Sequence, residues 1–165
     1  MTGDVVAVPV VAEGAVDPGS RSSRWVHASR RIMAEPARVY RAWTEPAELV
    51  RWLPFSVEGA VEPGMRAVLA WPDRSTWWEP IRLVPPRELS FRWPWLKDEA
   101  WRTIVTVRIR QERNGTLVSL EDGPFDLAVP RVVDAYAEAS SGWAEALAQL
   151  RAYLDFGVDL RELPA

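Results

Sequence analysis

Residues 133–154 read VDAYAEASSGWAEALAQLRAYL, the one long helical pattern of the chain. Its large apolar side chains recur at helical spacing, which places them on one face of an amphipathic helix. They are Val133, Tyr136, Trp143, Leu147, Leu150 and Leu154. Because this long helix comes last, after a series of strand patterns, we expect a curved sheet that grips a terminal helix.

The first half of this helix carries mostly small side chains. Residues 137–142 read AEASSG, on a stretch of helix that should face the sheet. Small residues there either let the backbone approach the sheet closely or leave a void large enough for a ligand. We therefore expect Ser140 to lie in the wall of such a void.

The composition indicates one soluble globular domain. The chain has 165 residues, of which 48% are hydrophobic and 26% charged, and a chain of this length can bury about two-thirds of its extended surface. No stretch approaches the roughly 18 apolar residues that a membrane span requires, so no membrane insertion is expected. The first residues do not form a secretory signal, which favours a cytoplasmic location.

Charge and residue usage exclude several function classes. The chain has no cysteine and a single histidine, His27, so thiolate chemistry and multi-histidine metal sites are not available to it. We expect neither a metal nor another cofactor. The formal net charge is −3, which gives no excess of cations for phosphate binding and makes nucleic acid an unexpected partner.

The chain divides into a flexible N-terminal extension at residues 1–22, a domain at 23–157 and a C-terminal tail at 158–165. The Val-rich residues 5–11 offer a competing interpretation as an extra edge strand. A strand is predicted from Arg24 to Met33, followed by a short helix that begins near Pro36 and a second from 46 to 52.

Six further strands are predicted in an antiparallel meander with turns between them. They span residues 57–61, 65–71, 76–84, 88–93, 101–110 and 116–121. Within the predicted strands from 81 to 110 the odd-numbered residues are mostly apolar, whereas the arginines are even-numbered. Since side chains alternate across a strand, one face is apolar and should hold the helix, and the other carries arginine on a solvated surface.

Four sequence segments resemble those of a known family and occur in the family's order. They are IMAEPARVYRAWTEP (32–46) with RWL (51–53), then VPPRELSFRW (84–93), then GTLVSL (115–120) with GPF (123–125), and SGW (141–143) with the leucines after it. The chain is similar to the START-like superfamily, and within it to the branch named after the C-terminal domain of the heat-shock ATPase activator. The resemblance covers residues 24 to about 156.

This resemblance implies an α+β helix-grip fold. A curved antiparallel sheet of six to seven strands would wrap around the long C-terminal helix, with two short helices after the first strand. The fold implies a deep cavity between the sheet and the three helices. None of the matching segments is a catalytic motif.

Tryptophan is the unusual residue of this chain, with ten copies. Aromatic rings bury large rigid areas and stack on flat ligands, so we expect part of this set to surround a hydrophobic, aromatic or polyketide-type small molecule. We assign Trp71, Trp78 and Trp95, near hairpin ends, to a pocket mouth or a partner surface. The candidate cavity residues are Trp77, Phe91, Trp93, Trp101, Val105, Phe125, Tyr136, Ser140 and Trp143.

Catalysis has weaker support. A general acid or base must sit in the pocket with a pKa near its working pH, and the weak candidates are Tyr136 on the helix and Glu79 on a Trp-rich strand. The carboxylates of Glu121, Asp122 and Asp126 read as structural or solvated groups near a strand end. His27 has no predicted carboxylate or serine partner.

Three hypotheses follow. The chain binds a hydrophobic small molecule as a carrier or as a sequestering, self-resistance protein in bacterial natural-product metabolism. Alternatively, it acts like the polyketide cyclases and aromatases of the same superfamily. In the third hypothesis it is a protein-interaction domain of the chaperone-activating kind, with a cavity that its own side chains fill.

Overall fold

The computed structural model describes residues 19–95 and 101–162 of the chain. These residues form strands, three α-helices and one short 3₁₀ helix. In chain order they are β1 (Ser23–Ile32), α1 (Pro36–Thr44), α2 (Pro46–Leu49), β2 (Ser56–Glu58), β3 (Ala67–Ala70), β4 (Ser75–Val84), β5 (Glu88–Trp95), β6 (Trp101–Glu112), β7 (Gly115–Asp126), α3 (Pro130–Phe156) and the 3₁₀ helix (Leu160–Glu162).

The strands form one seven-stranded antiparallel sheet in the order β1-β7-β6-β5-β4-β3-β2. Helix α3 lies against the inner face of the curved sheet and contacts β1 and β7, and α1 and α2 follow the first strand. The predicted helix-grip fold is therefore confirmed. The second helix is a single turn that ends at Leu49 and not at Trp52.

In its first half, helix α3 buries a different and smaller set of side chains than the apolar stripe predicted from the sequence. Val133 is 43% exposed and Val132 is fully buried in its place. Ala135 and Ala139 are also buried, so the helix backbone approaches the sheet closely at these positions. Bulky side chains return to the buried face only from Trp143 onward.

Aromatic rings fill the centre of the domain between the sheet and the helices. Trp43, Trp52, Trp78, Phe91 and Phe125 are among the largest fully buried side chains. Trp43 and Trp52 meet edge to face at a centroid distance of 4.7 Å, and Trp78 lies 4.6 Å from Phe91, a spacing that favours aromatic pairs. The deep central cavity that the fold family implies is thus largely occupied by indole and phenyl rings.

A β-bulge in β4 changes which residues of this strand face inward. Pro80 pairs with Phe91 and Arg82 pairs with Ser90, so Ile81 is the extra residue. Upstream of it, the even-numbered residues of β4 face the core. The prediction that odd-numbered residues face the interior is therefore wrong for this half of β4, which includes Trp77.

Trp77 and its neighbour Trp78 consequently lie on opposite faces. Trp78 pairs with the buried Ala67 and is itself fully buried. Trp77 pairs with Val68, which is 42% exposed. Its ring lies on the outer face under the guanidinium of Arg66, with the guanidinium carbon 3.9 Å from the ring centroid.

The chain termini bear on two sequence predictions. Residues 1–18 of the predicted extension at 1–22, with the candidate strand at 5–11, lie outside the described residues. Part of the predicted C-terminal tail forms the 3₁₀ helix, in which Arg161 donates hydrogen bonds to the carbonyl oxygens of Val50 and Pro54. This arginine fastens the tail to the loop after α2.

The bulge predicts a difference between two adjacent tryptophans. Trp78→Ala should lower the free energy of unfolding by about 3–5 kcal/mol, because it empties a fully buried site. Trp77→Ala should cost less, about 1–3 kcal/mol, because the Trp77 ring, although only 7% exposed, is covered on the outer face by flexible arginine side chains that can close over the gap. Urea unfolding of both variants measures the difference, and equal costs would contradict the assigned faces.

Candidate ligand-binding site

One pocket opens between the β3–β4 hairpin, strand β5 and helix α3, with a volume of about 220 Å³. It lies beside the aromatic core and not at its centre. The lining residues come from four parts of the chain, which only the folded sheet and helix bring together. They are Leu53, Trp71, Arg74, Trp93, Trp95, Glu138, Ser141, Gly142, Trp143, Glu145 and Ala146.

The inner wall of the pocket is aromatic. Trp93 and Trp95 both point to the inner face of β5, because side chains two apart on a strand share a face. Trp143 reaches them from α3, and its ring centroid lies 5.1 Å from Trp93 and 6.4 Å from Trp95. The three rings pack against one another at tilted or edge-to-face angles, so each ring restricts the movement of the other two.

The helical wall is formed by small residues. A Cβ atom added at Gly142 would meet no other atom within 4 Å, so the glycine borders open space. The Ser141 hydroxyl donates to the carbonyl oxygens of Ala137 and Glu138 within its own helix. The polar atom of this serine is thereby engaged by the backbone.

The rim of the pocket is polar and charged. Trp71 and Arg74 come from the hairpin, and Glu138 and Glu145 from α3. The Arg74 guanidinium lies 4.7 Å from the Trp71 ring centroid and 3.5 Å from the Glu138 carboxylate. This ion pair connects the hairpin to the helix across the mouth.

Behind the aromatic wall lies a buried carboxyl group. Asp122 on β7 is fully buried and accepts a hydrogen bond from the Trp143 indole Nε1 at 2.7 Å. The Trp95 indole donates to the Thr103 hydroxyl at 3.0 Å beside it. The second carboxyl oxygen, Oδ1, has no hydrogen-bond partner among the described residues.

Burial raises the pKa of Asp122 from 3.8 to about 6, because the charged form loses its hydration. The hydrogen bond from Trp143 and the nearby polar groups of Thr103 and Trp95 oppose this rise. The carboxyl group therefore changes its protonation state near neutral pH. Asp122 does not line the pocket. A change in its protonation state therefore acts on the pocket through its hydrogen bond to the Trp143 indole.

The structure places the predicted cavity residues in several environments. Trp93 and Trp143 line the pocket, whereas Trp77 lies on the outer face. The remaining candidates form the surrounding core or border it. These are Phe91, Val105 and Phe125, which are fully or almost fully buried, and Trp101, Tyr136 and Ser140, which are half-buried.

The two weak catalytic candidates are also separated. Glu79 lies on the outer face, where hydrogen bonding by Arg66, followed by the charge of Arg92, holds its pKa below its usual range. Tyr136 packs edge to face against Phe125 at 5.6 Å. Neither side chain lines the pocket, and the pocket itself offers shape and aromatic surface more than reactive groups.

Sequence reasoning undervalued Asp122. The pattern Val118, Leu120, Asp122 on β7 has the parity of a buried face, so a carboxylate at its end was a detectable exception. We instead interpreted Asp122 as a solvated group at a strand end. The true strand extends to Asp126, which places Asp122 in its interior.

The other polar candidates lie away from the pocket. Glu121 forms an ion pair with Arg108 at 3.1 Å, and His27 is exposed. They border a shallow depression of about 270 Å³ on the outer face of the sheet. Asp126 accepts a hydrogen bond from the Ala128 backbone in the turn before α3.

Residues 19–95 and 101–162 also bear on metal binding and membrane insertion. Within these ranges no cluster of three or more potential ligand side chains is arranged to hold a metal ion. None of the helices that they contain has the length and apolarity to cross a bilayer.

Comparison with known proteins identifies related sequences and folds. The model of the family described as "Activator of Hsp90 ATPase homolog 1-like protein" matches residues 33–155. The sequence has no match among curated proteins.

Solved structures with the same fold include protein MLL2253 from Mesorhizobium loti, with a TM-score of 0.70 and 24% identity over 79% of this chain and 96% of that protein. The Aha1 dimer from Colwellia psychrerythraea gives a TM-score of 0.70 and 17% identity over 81% and 98%. DynU16, from the dynemicin biosynthetic locus, gives 0.67 and 20% identity over 81% of this chain and 48% of its own. These similarities show a shared fold.

Asp122 predicts an unusual dependence of stability on pH. Because its pKa is raised from 3.8 to about 6 on folding, the folded state binds this proton more tightly than the unfolded chain. Its contribution to stability is therefore full below pH 3.8 and is lost as the pH rises through about 6. Asp122→Asn removes this loss, so the stability of the variant relative to the parent should rise by up to about 3 kcal/mol between pH 4 and pH 7.

Urea unfolding at a series of pH values measures this difference. Asp126→Asn is the matched control, since hydrogen bonding by Ser22 and by the Ala128 backbone lowers the pKa of that exposed carboxyl, and no such rise is expected. A difference between Asp122→Asn and the parent that stays constant from pH 4 to pH 7 would contradict the prediction.

Proposed function

This chain belongs to the family of Activator of Hsp90 ATPase homolog 1-like proteins, and on that basis we propose that it binds a hydrophobic, aromatic small molecule in the pocket beside α3. The observation that carries the proposal is the convergence of four indoles on one open pocket, from Trp71, Trp93, Trp95 and Trp143. Aromatic walls with few polar groups are typical of small-molecule sites.

The pocket volume limits the size of the ligand. A cavity of 150 Å³ engineered in another protein holds benzene, so a pocket of about 220 Å³ accommodates a group of one or two rings. A larger polycyclic or polyketide-type molecule would insert one end and leave the rest outside the mouth. Because Ser141 and Gly142 have small side chains, a flat group can fit between the helix and the indole rings.

Carriage or sequestration fits this pocket better than catalysis. Glu138, Glu145 and Arg74 lie at the rim, where water surrounds them and leaves them poor proton-transfer groups. DynU16, which shares the fold, comes from the dynemicin biosynthetic locus. By analogy, we place the ligand of this chain among natural products, with a role in transport or self-protection.

A protein-interaction role is the second candidate, and the filled interior favours it. Fully buried Trp43, Trp52 and Trp78 occupy the space in which a large ligand would lie. In this alternative the partner would contact the outer sheet face, where Arg92, Arg108 and other arginines alternate with glutamates.

Filling the pocket tests the proposed function. Gly142→Leu should weaken the binding of a two-ring probe such as 2-naphthol by at least about tenfold, because the added side chain enters the open space. Ala144→Leu introduces the same side chain two residues along, where it is exposed and does not line the pocket, and should leave binding unchanged. Isothermal titration calorimetry measures both.

Two results would count against small-molecule binding at this site. One is the absence of measurable binding of 2-naphthol to the parent protein. The other is equal binding by the Gly142→Leu and Ala144→Leu variants, which would place the ligand elsewhere.

A further inference from the structure

The rim of the pocket adds charge to the aromatic walls, and the arrangement bears on the ligand's own charge. The faces of indole rings carry partial negative charge and attract cations within about 6 Å. Glu138 and Glu145 place two carboxylates at the same opening. Aromatic faces beside carboxylates form a site suited to a positively charged organic group.

One of the protein's own cations, the Arg74 guanidinium, already lies between an indole ring and a carboxylate at this rim. The Arg74 guanidinium lies 4.7 Å from the centroid of the Trp71 ring and 3.5 Å from the Glu138 carboxylate. The geometry at the rim therefore already accommodates a planar cation on an indole face with a carboxylate beside it.

This internal cation is only weakly held. The side chains of Arg74 and Glu138 are 56% and 64% exposed, and exposed ion pairs contribute little to stability because water screens them. A ligand can displace the Arg74 guanidinium at small cost. Displacement frees Glu138 to face the ligand.

The balance of charge at the rim also favours a cation. Arg74 is compensated by Glu138, and Glu145 adds a further carboxylate that accepts a hydrogen bond from the Gln149 amide at 3.3 Å. A neutral ligand would gain nothing from this second carboxylate, and an anion would be repelled by it.

We propose that the ligand of this pocket is an organic cation, an alkylated ammonium group carried on a hydrophobic or aromatic body. The proposal rests on the proposed small-molecule function and specifies the chemical class that the site selects. The ammonium group would lie at the rim between the Trp71 ring and the two glutamates. The apolar body would enter between Trp93, Trp95 and Trp143.

A matched pair of probes tests the charge preference. Phenyltrimethylammonium and tert-butylbenzene have nearly the same shape and differ in charge. Quenching of tryptophan emission should show that the cation binds at least about tenfold more tightly, in line with cation–π and carboxylate attraction at a partly desolvated site. Raising the salt concentration should weaken the binding of the cation and leave that of the neutral probe unchanged.

Rim variants locate the effect. Glu145→Gln should weaken the binding of phenyltrimethylammonium about threefold or more and leave that of tert-butylbenzene unchanged. Arg74→Gln should strengthen the binding of the cation, because it removes the competing guanidinium. Glu112→Gln and Arg82→Gln are matched controls, since both residues form ion pairs on the outer sheet face, and neither should alter binding.

The outcomes separate this inference from the proposed function. If 2-naphthol binds in a Gly142-dependent way but the two matched probes bind equally, or the neutral probe binds more tightly, the cation preference is refuted and the small-molecule function stands. If Glu145→Gln weakens both probes alike, the carboxylate acts on the fold and not on the charge of the ligand, which also refutes the inference. If no aromatic probe binds, the proposed function fails and the inference fails with it.

Discussion

The hydrogen bond between the Trp143 indole and the Asp122 carboxyl joins helix α3 to strand β7 across the interior. A buried carboxyl group that lacked donors would be costly, so the indole N–H constrains how Trp143 can turn. Trp93 and Trp95 pack against the Trp143 ring in this fixed orientation, at centroid distances of 5.1 and 6.4 Å. The aromatic wall of the pocket therefore depends on one polar contact that lies behind it.

The position of the pocket follows from how the core is filled. Rings from α1, β4 and β5 occupy the centre of the domain, where Phe91 contacts Trp43 and Trp78. A pocket remains at the side, where α3 carries Ser141 and Gly142 opposite the hairpin. In this chain the tryptophans thus close the deep cavity of the fold and surround a smaller one at its edge, which favours a small ligand or the exposed end of a larger one.

The outer face of the sheet is organised separately from the pocket. Glu79 bridges Arg66 and Arg92, and Arg108 contacts Glu121. These pairs satisfy the charges of an exposed sheet face and account for the lowered pKa of Glu79. The charged rim at Glu138 and Glu145 lies on α3, away from this network, so a ligand at the pocket and a partner at the sheet would meet different groups.

The sequence alone predicts the succession of strands and helices along the chain, the terminal helix and the arginine-bearing face, because these follow from periodicity among neighbours in the chain. For the small residues 137–142 the sequence left two interpretations open, close approach to the sheet or a void; the structure shows the first at the buried Ala139 and the second at Ser141 and Gly142. The folded sheet was needed to show that Trp78 and not Trp77 enters the core, since the bulge at Ile81 arises from pairing with β5. The burial of Asp122 and the meeting of Trp71, Trp95 and Trp143 at one pocket likewise depend on contacts between distant segments, which a one-dimensional pattern does not contain.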